Sequence, residues 1–343
     1  MKAMILNKTG SLKQNPDPLE IVDIPVPEPG AGEVQIKISV CGVCHTELDE
    51  IEGRTAPPNL PVVLGHQVIG EITKKGEGSK KYKIGERIGV AWIFSACGHC
   101  KFCLSGNENL CDDFKATGRD VNGGYAEYMV AKEKYIFPIP EFFADAEAAP
   151  LLCAGAIGFR SLALTGLKDG QKLGFTGFGA SAHLVLKVLK YKFPKMKAYV
   201  FARSEKEQQY ARELGAVWAG STTDRSPEKL DAIIDTTPVW KPVVEALANL
   251  EKGGRLVINA IRKEDGDKDY LQQLSYQEHL WLEKEIKSVA NVTSHDVEEF
   301  LKLAAKAEVK PEFQEYPLEK AILALRELKE GNIRGAKVLR ISH

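Results

Sequence analysis

From about residue 154 onward, short apolar segments alternate with helix-like ones. QKLGFTG is followed by AHLVLKVLKY, and KAYVFA by SEKEQQYARELG. AVWAG comes next, then DAIIDTT with PVVEALANL, then GGRLVINAI. Strands buried on both faces read as short apolar runs, and a helix between two of them lets them lie parallel. The alternation therefore predicts an α/β fold, a parallel sheet covered by helices on both faces. The first 150 residues have another texture. Residues 34–40, VQIKISV, alternate apolar and polar as a half-buried strand does. Pro and Gly recur in PVPEPGAG and RTAPPNLP, which means turns rather than long helices. After about residue 291 come an amphipathic helix at 296–307, a strand-like EFQEYPL, a helix at 319–329 and a last strand, AKVLRIS.

A chain of 343 residues is too long for one ordinary domain and comfortable for two. The 46 Lys+Arg against 47 Asp+Glu leave a formal charge of −1. A dedicated nucleic-acid binder normally shows a basic excess, so that class is disfavoured. The most apolar stretch, 148–159, falls short of the roughly 18–20 residues that span a bilayer. The N-terminal MKAMILNKTGSLKQ lacks the apolar core and cleavage site of a signal peptide, so a cytoplasmic location is expected.

Seven cysteines make a poor disulfide framework for such a chain. Cys97, Cys100, Cys103 and Cys111 fall within fifteen residues, with two-residue gaps between the first three. That spacing suits a closed, tetrahedral Cys₄ zinc site of structural type. The acidic Asp112 and Asp113, with no flanking basic helix, argue against a nucleic-acid-binding zinc module. His99 lies between ligands, but four thiols already fill a tetrahedron, so it reads as a solvent-facing loop residue. Cys44, His66 and Cys153 also have ligand character, yet they lie far apart and spacing alone does not unite them.

Gly177-Phe-Gly179-Ala-Ser-Ala182 follows an apolar strand and opens an apolar helix. This is the dinucleotide fingerprint in its required strand–turn–helix context. Gly177 permits the tight turn, Gly179 allows close approach of the pyrophosphate, and small Ala182 allows close helix packing. An acidic residue at the end of the second strand would hold the adenosine ribose of NAD; Ala202 stands there instead. Arg203 and Ser204 follow and could bind a 2′-phosphate, which favours NADP, although Glu205 could restore an NAD preference.

From CGVCHTE, GHQVIG, the CGHCKFC…C lobe, GGYAEYMV, PLLCAG and GFTGFGASAH, the chain resembles the zinc-dependent alcohol dehydrogenases of the medium-chain dehydrogenase/reductase superfamily, essentially from end to end. The resemblance implies a GroES-like β-rich catalytic domain, 1–153 and 291–343, with a structural-zinc lobe at about 95–113. It implies a Rossmann cofactor domain, 154–290, inserted between them, with the active site in the cleft. Cys44, His66 and Cys153 would bind a catalytic zinc whose fourth position takes water or substrate. Cys41 would be the spare thiol. Two zinc ions per subunit and NAD(P) follow, with a small-molecule alcohol or aldehyde as substrate and a homodimer or homotetramer as assembly. No membrane partner is expected.

The chemistry needs a Lewis acid to lower the alcohol's pKa and an outlet for its proton. By resemblance, Thr46 takes that proton and Glu47 orients the His66 ring. Relatives often end the relay in a His where this chain has Asp49, so the relay would end at Asp49, at water or at His45. Gln67 replaces the usual Glu beside the zinc, which predicts altered water exchange, and Ile157 replaces a Thr near the nicotinamide. Trp92 resembles a pocket-lining aromatic. The segment GRTAPP lacks the Trp that narrows small-alcohol pockets, which points to larger substrates. A polyol or aromatic-alcohol dehydrogenase and a non-enzymatic NADP-binding redox sensor are the alternatives.

Overall fold

A computed structural model describes residues 1–331 and 335–342. The chain forms two compact units, Met1–Cys153 with Val292–His343, and Ala154–Asn291.

The first unit is built on a seven-stranded sheet around β1 (Glu33–Val43). Val34, Ile36, Ile38 and Val40 are all fully buried, as the alternation predicts. Gln35 is buried as well, because its amide is satisfied. Its Nε2 donates to the Pro27 carbonyl at 2.7 Å, and its Oε1 accepts from the Thr73 hydroxyl at 2.7 Å. β1 pairs antiparallel with β2 (Val68–Lys75), Ile36 opposite Ile72 and Val40 opposite Ile69. It runs three residues beyond the sequence expectation because the strand Ala336–Arg340 covers its end, Leu339 opposite Cys41. That partner comes from the far end of the chain, which no local pattern announces. The short helix α1 (His45–Ile51) follows β1 directly.

The second unit holds a six-stranded parallel sheet. Its strands are β3 (Lys172–Thr176), β4 (Lys197–Phe201), β5 (Trp218–Gly220), β6 (Leu230–Asp235), β7 (Leu250–Ile258) and β8 (Glu285–Ser288). The spatial order is β5-β4-β3-β6-β7-β8, and every neighbouring pair is parallel. The order reverses between β3 and β6, the switch point at which such sheets bind ligands. The helices α2 (Ala180–Lys192) and α3 (Glu205–Glu213) follow β3 and β4. The edge strand β8 escapes the sequence reading. Its residues EIKS are all exposed, so no apolar run marks it.

Back in the first unit, α4 (Ser294–Lys306) starts earlier than its apolar periodicity. Thr293 caps it: the Thr293 hydroxyl accepts the Asp296 N–H at 3.2 Å, and the Asp296 carboxylate accepts the Thr293 N–H at 2.8 Å. α5 (Ala321–Glu330) ends at Gly331, which adopts φ +75°. The apolar helical run Asp145–Thr165, whose residues from Ala154 onward belong to the second unit, is 21 residues, longer than the stretch read from sequence. It is 72% buried within the protein over its most apolar window, so it is a core segment.

Candidate metal centres and cofactor turn

The three dispersed ligand candidates converge. One donor atom each of Cys44, His66 and Cys153 lies within 4.8 Å of the other two. The Sγ atoms of Cys44 and Cys153 are 3.8 Å apart. Cys44 stands at the N-cap of α1, Cys153 closes a short 3₁₀ turn (Ala149–Leu152), and His66 directly follows Gly65. Gly65 adopts φ +98°, and a Cβ there would lie 2.5 Å from the Tyr125 ring. Only glycine fits that position.

Glu47 serves two partners. Its Oε2 accepts the Cys44 N–H at 2.9 Å, closing the cap of α1. Its Oε1 lies 2.6 Å from His66 Nδ1. Both side chains are essentially unexposed. With Nδ1 engaged, the ring offers Nε2 to a metal, the carboxylate–histidine arrangement common behind metal ligands. The Cys153 thiol, hydrogen-bonded to Cys44, and then the His66 ring push the Cys44 thiol well below its ordinary value, against burial. Cys153 is pushed up in turn by the same bond, and burial adds to the rise. Two thiols and an imidazole suit zinc, and three donors leave one tetrahedral position for an oxygen ligand.

Thr46 Oγ1 lies 3.5 Å from Cys44 Sγ. His45 is exposed. Asp49 is buried and accepts from Arg54 Nε at 2.6 Å. Gln67 is buried and packs on β1, so that a Cβ at Gly42 would lie 2.3 Å from its Oε1. Trp92 is half-buried with its ring 5.6 Å from that of Phe114. Cys41 is fully buried, packs against Gly65 and Gly124, and stands outside the ligand set.

Cys97, Cys100, Cys103 and Cys111 form the second group, again with all donor atoms within 4.8 Å. Backbone N–H groups point at the sulfurs: Cys97 N–H to Cys111 Sγ at 3.4 Å, Cys100 N–H to Cys97 Sγ at 3.3 Å and Cys103 N–H to Cys100 Sγ at 3.5 Å. Such donors favour thiolates. The N–H groups of His99 and Cys100 bring the Cys97 thiol down to about 6. Four converging thiols fit a closed tetrahedral metal, while exposed His99 bends back to the Cys97 carbonyl at 3.1 Å.

In the second unit, Gly177 makes the turn between β3 and α2 with φ +75°, and a Cβ there would lie 2.8 Å from Thr237. Gly179 is exposed with open space where a Cβ would stand, and Ala182 is buried. Ala202 is buried at the end of β4, and Arg203 is exposed. Ser204 is already occupied. Its hydroxyl caps α3, accepting the Glu207 N–H at 3.3 Å, and donates to the Glu207 carboxylate at 2.8 Å. Ile157 is half-buried against this unit's core.

Two groups escaped the sequence reading. Asp235, at the end of β6, accepts from the Thr176 and Thr237 hydroxyls at 2.6 and 2.7 Å and pairs with Lys263, tying down the segment beside Gly177. An acid closing an apolar strand was the available signal. Glu50 on α1 is fully buried, and nothing in its sequence neighbourhood marks it.

Residues 30–141 match the alcohol dehydrogenase GroES-like domain family. A probable alcohol dehydrogenase of Mycobacterium tuberculosis (strain CDC 1551 / Oshkosh) is 39% identical over 94% of this chain and 93% of its own length. An alcohol dehydrogenase of Geobacillus stearothermophilus is 32% identical over 97% and 99%. A cinnamyl alcohol dehydrogenase of Medicago truncatula is 34% identical over 68% of each. Among solved structures, an NAD-dependent alcohol dehydrogenase shares the fold at TM-score 0.87, with 24% identity and full coverage of both chains. At that end-to-end similarity the chain belongs to the zinc-dependent alcohol dehydrogenases of the medium-chain dehydrogenase/reductase superfamily, which interconvert alcohols with aldehydes or ketones by hydride transfer to or from NAD(P).

Proposed function

We propose that Cys44, His66 and Cys153 hold a catalytic zinc, and that Cys97, Cys100, Cys103 and Cys111 hold a structural one. The observation that carries this reading is the convergence of the first three donors with Glu47 behind His66. The zinc, when bound, supplies a Lewis acid that acidifies the substrate alcohol. Thr46, beside Cys44, takes the alcohol proton. Asp49 is bound to Arg54, whereas exposed His45 adjoins Thr46, so His45 is the outlet to solvent. Glu47 fixes the His66 ring, and buried Gln67 adds an uncharged amide beside it. Metal analysis tests the assignment. Two zinc ions per chain are expected in the wild type and one in Cys44→Ser, with activity lost. A single zinc in the wild type overturns it.

Gly177, Gly179 and Ala182 cradle the cofactor pyrophosphate at the N-terminus of α2. Exposed Arg203 and uncharged Ala202 favour NADP over NAD. The substrate is a bulky, aromatic alcohol or its aldehyde. The Trp92–Phe114 pair and the similarity to a cinnamyl alcohol dehydrogenase support this choice. A panel from ethanol to cinnamyl alcohol tests it, and a steady fall in kcat/KM with size would overturn it. The family pattern implies a homodimer or homotetramer, which sedimentation checks.

A further inference from the structure

α1 and its C-cap carry acids beyond Glu47, and their surroundings differ. Asp49 is bound by Arg54, and Glu52 by Arg54 and Lys329. Among the described residues no cationic side chain pairs with Glu50. It is fully buried, and neither carboxylate oxygen closes a full hydrogen bond there, although the Trp92 indole bears on it. A buried carboxylate left this way is strongly unfavourable unless a cation compensates it.

The location of Glu50 supplies the candidate. It lies one helical turn beyond Glu47, on the same face of α1. Burial first, and then the Glu47 charge, push its carboxyl well up, while His66 and the Trp92 indole pull it down. The Trp92 N–H is itself buried without a closed hydrogen bond. The Glu50 charge in turn acts on Cys153 and on Tyr125. Glu50 is thus within electrostatic reach of Cys44, His66 and Cys153, the three donors of the catalytic set. Gln67, beside His66, brings no charge of its own.

We propose that Glu50 is a positioning residue of the catalytic metal centre, its buried carboxylate acting through space on the cation held by Cys44, His66 and Cys153 and strengthening its retention. The inference rests on the zinc reading above. The metal in turn supplies the positive charge that the buried carboxylate otherwise lacks. Glu50→Gln keeps the shape and removes the charge.

The test follows zinc release from the whole protein to a chelator. Glu50→Gln is expected to release the metal of the Cys44 site about tenfold faster or more, while the Cys97 cluster releases at the wild-type rate. Glu50→Asp, which keeps a carboxylate, recovers most of the retention. Metal-free Glu50→Gln melts at or above metal-free wild type, because a poorly compensated buried acid has been removed. Release within about twofold of wild type would overturn the proposal. So would a metal-free Glu50→Gln that melts well below metal-free wild type, which would mean that Glu50 merely packs. A wild type with only one zinc overturns the zinc reading and this inference together, a result distinct from a two-zinc wild type that Glu50→Gln matches.

Discussion

Glu47 Oε1 lies 2.6 Å from His66 Nδ1, while the other oxygen of the same carboxylate caps the helix that presents Cys44. One side chain thus orients one proposed ligand and anchors the backbone of another. Glu47→Gln keeps an amide oxygen for the Cys44 N–H but loses the charged partner of His66. Its catalytic zinc is expected to bind about 10–100-fold more weakly, with the four-cysteine site unchanged, as chelator competition reads. Glu47→Ala also loses the cap, and denaturation should show about 1 kcal/mol of further destabilisation.

Cys100→Ser removes a proposed ligand of the four-cysteine group and a sulfur that accepts the Cys103 N–H. The protein should retain one zinc, at Cys44, His66 and Cys153. It should lose stability on the order of several kcal/mol, with proteolysis concentrated at 95–113. Equal loss of both metals would contradict independent sites.

Arg203 and Ser204 separate in their effects. Arg203→Ala is expected to raise KM for NADP by about tenfold and to leave NAD within about twofold, since a charge-assisted contact is lost for one cofactor alone. Ser204→Ala should cost about 1 kcal/mol of stability and leave the cofactor ratio unchanged, because that hydroxyl already caps α3. Equal effects of Arg203→Ala on both cofactors would remove the case for NADP.

Glu52 gives a pH-dependent contribution to stability. Burial pushes its carboxyl up, but Lys329, Arg54 and the Leu12 N–H outweigh that and bring it from 4.5 to about 2. A lowered folded-state pKa stabilises above the unfolded value, and the gain is lost as pH falls from 4.5 through about 2. Glu52→Gln should therefore cost about 1 kcal/mol at neutral pH and converge with wild type near pH 2, followed by urea denaturation. A difference that persists at the acid end would assign the loss to packing.

His45→Gln tests the proton outlet. Turnover should fall, and added imidazole should restore part of it, because a free base replaces the missing one. Unchanged turnover would return the role to water.

The sequence by itself determined whatever rests on short-range pattern. Four thiols within fifteen residues can converge on one ion however the rest of the chain runs. Apolar strands alternating with helices demand a parallel sheet, and Gly177 opens a helix in the setting a pyrophosphate needs. The proposed catalytic donors were different. Cys44, His66 and Cys153 share no spacing, so they were legible only as family motifs, and the fold is what brings their donor atoms within 4.8 Å. Tertiary structure also decided which polar groups are free to act. Ser204 is spent on Glu207 and Asp49 on Arg54, while Glu50 is sealed in with no cationic partner among the described residues. Both pairings are local and yet invisible in composition, because Ser, Asp and Glu suit a solvated turn as well as a cap or an ion pair. Burial decides between those uses. It depends on elements that arrive from elsewhere in the chain, such as the strand Ala336–Arg340 that extends β1 up to α1.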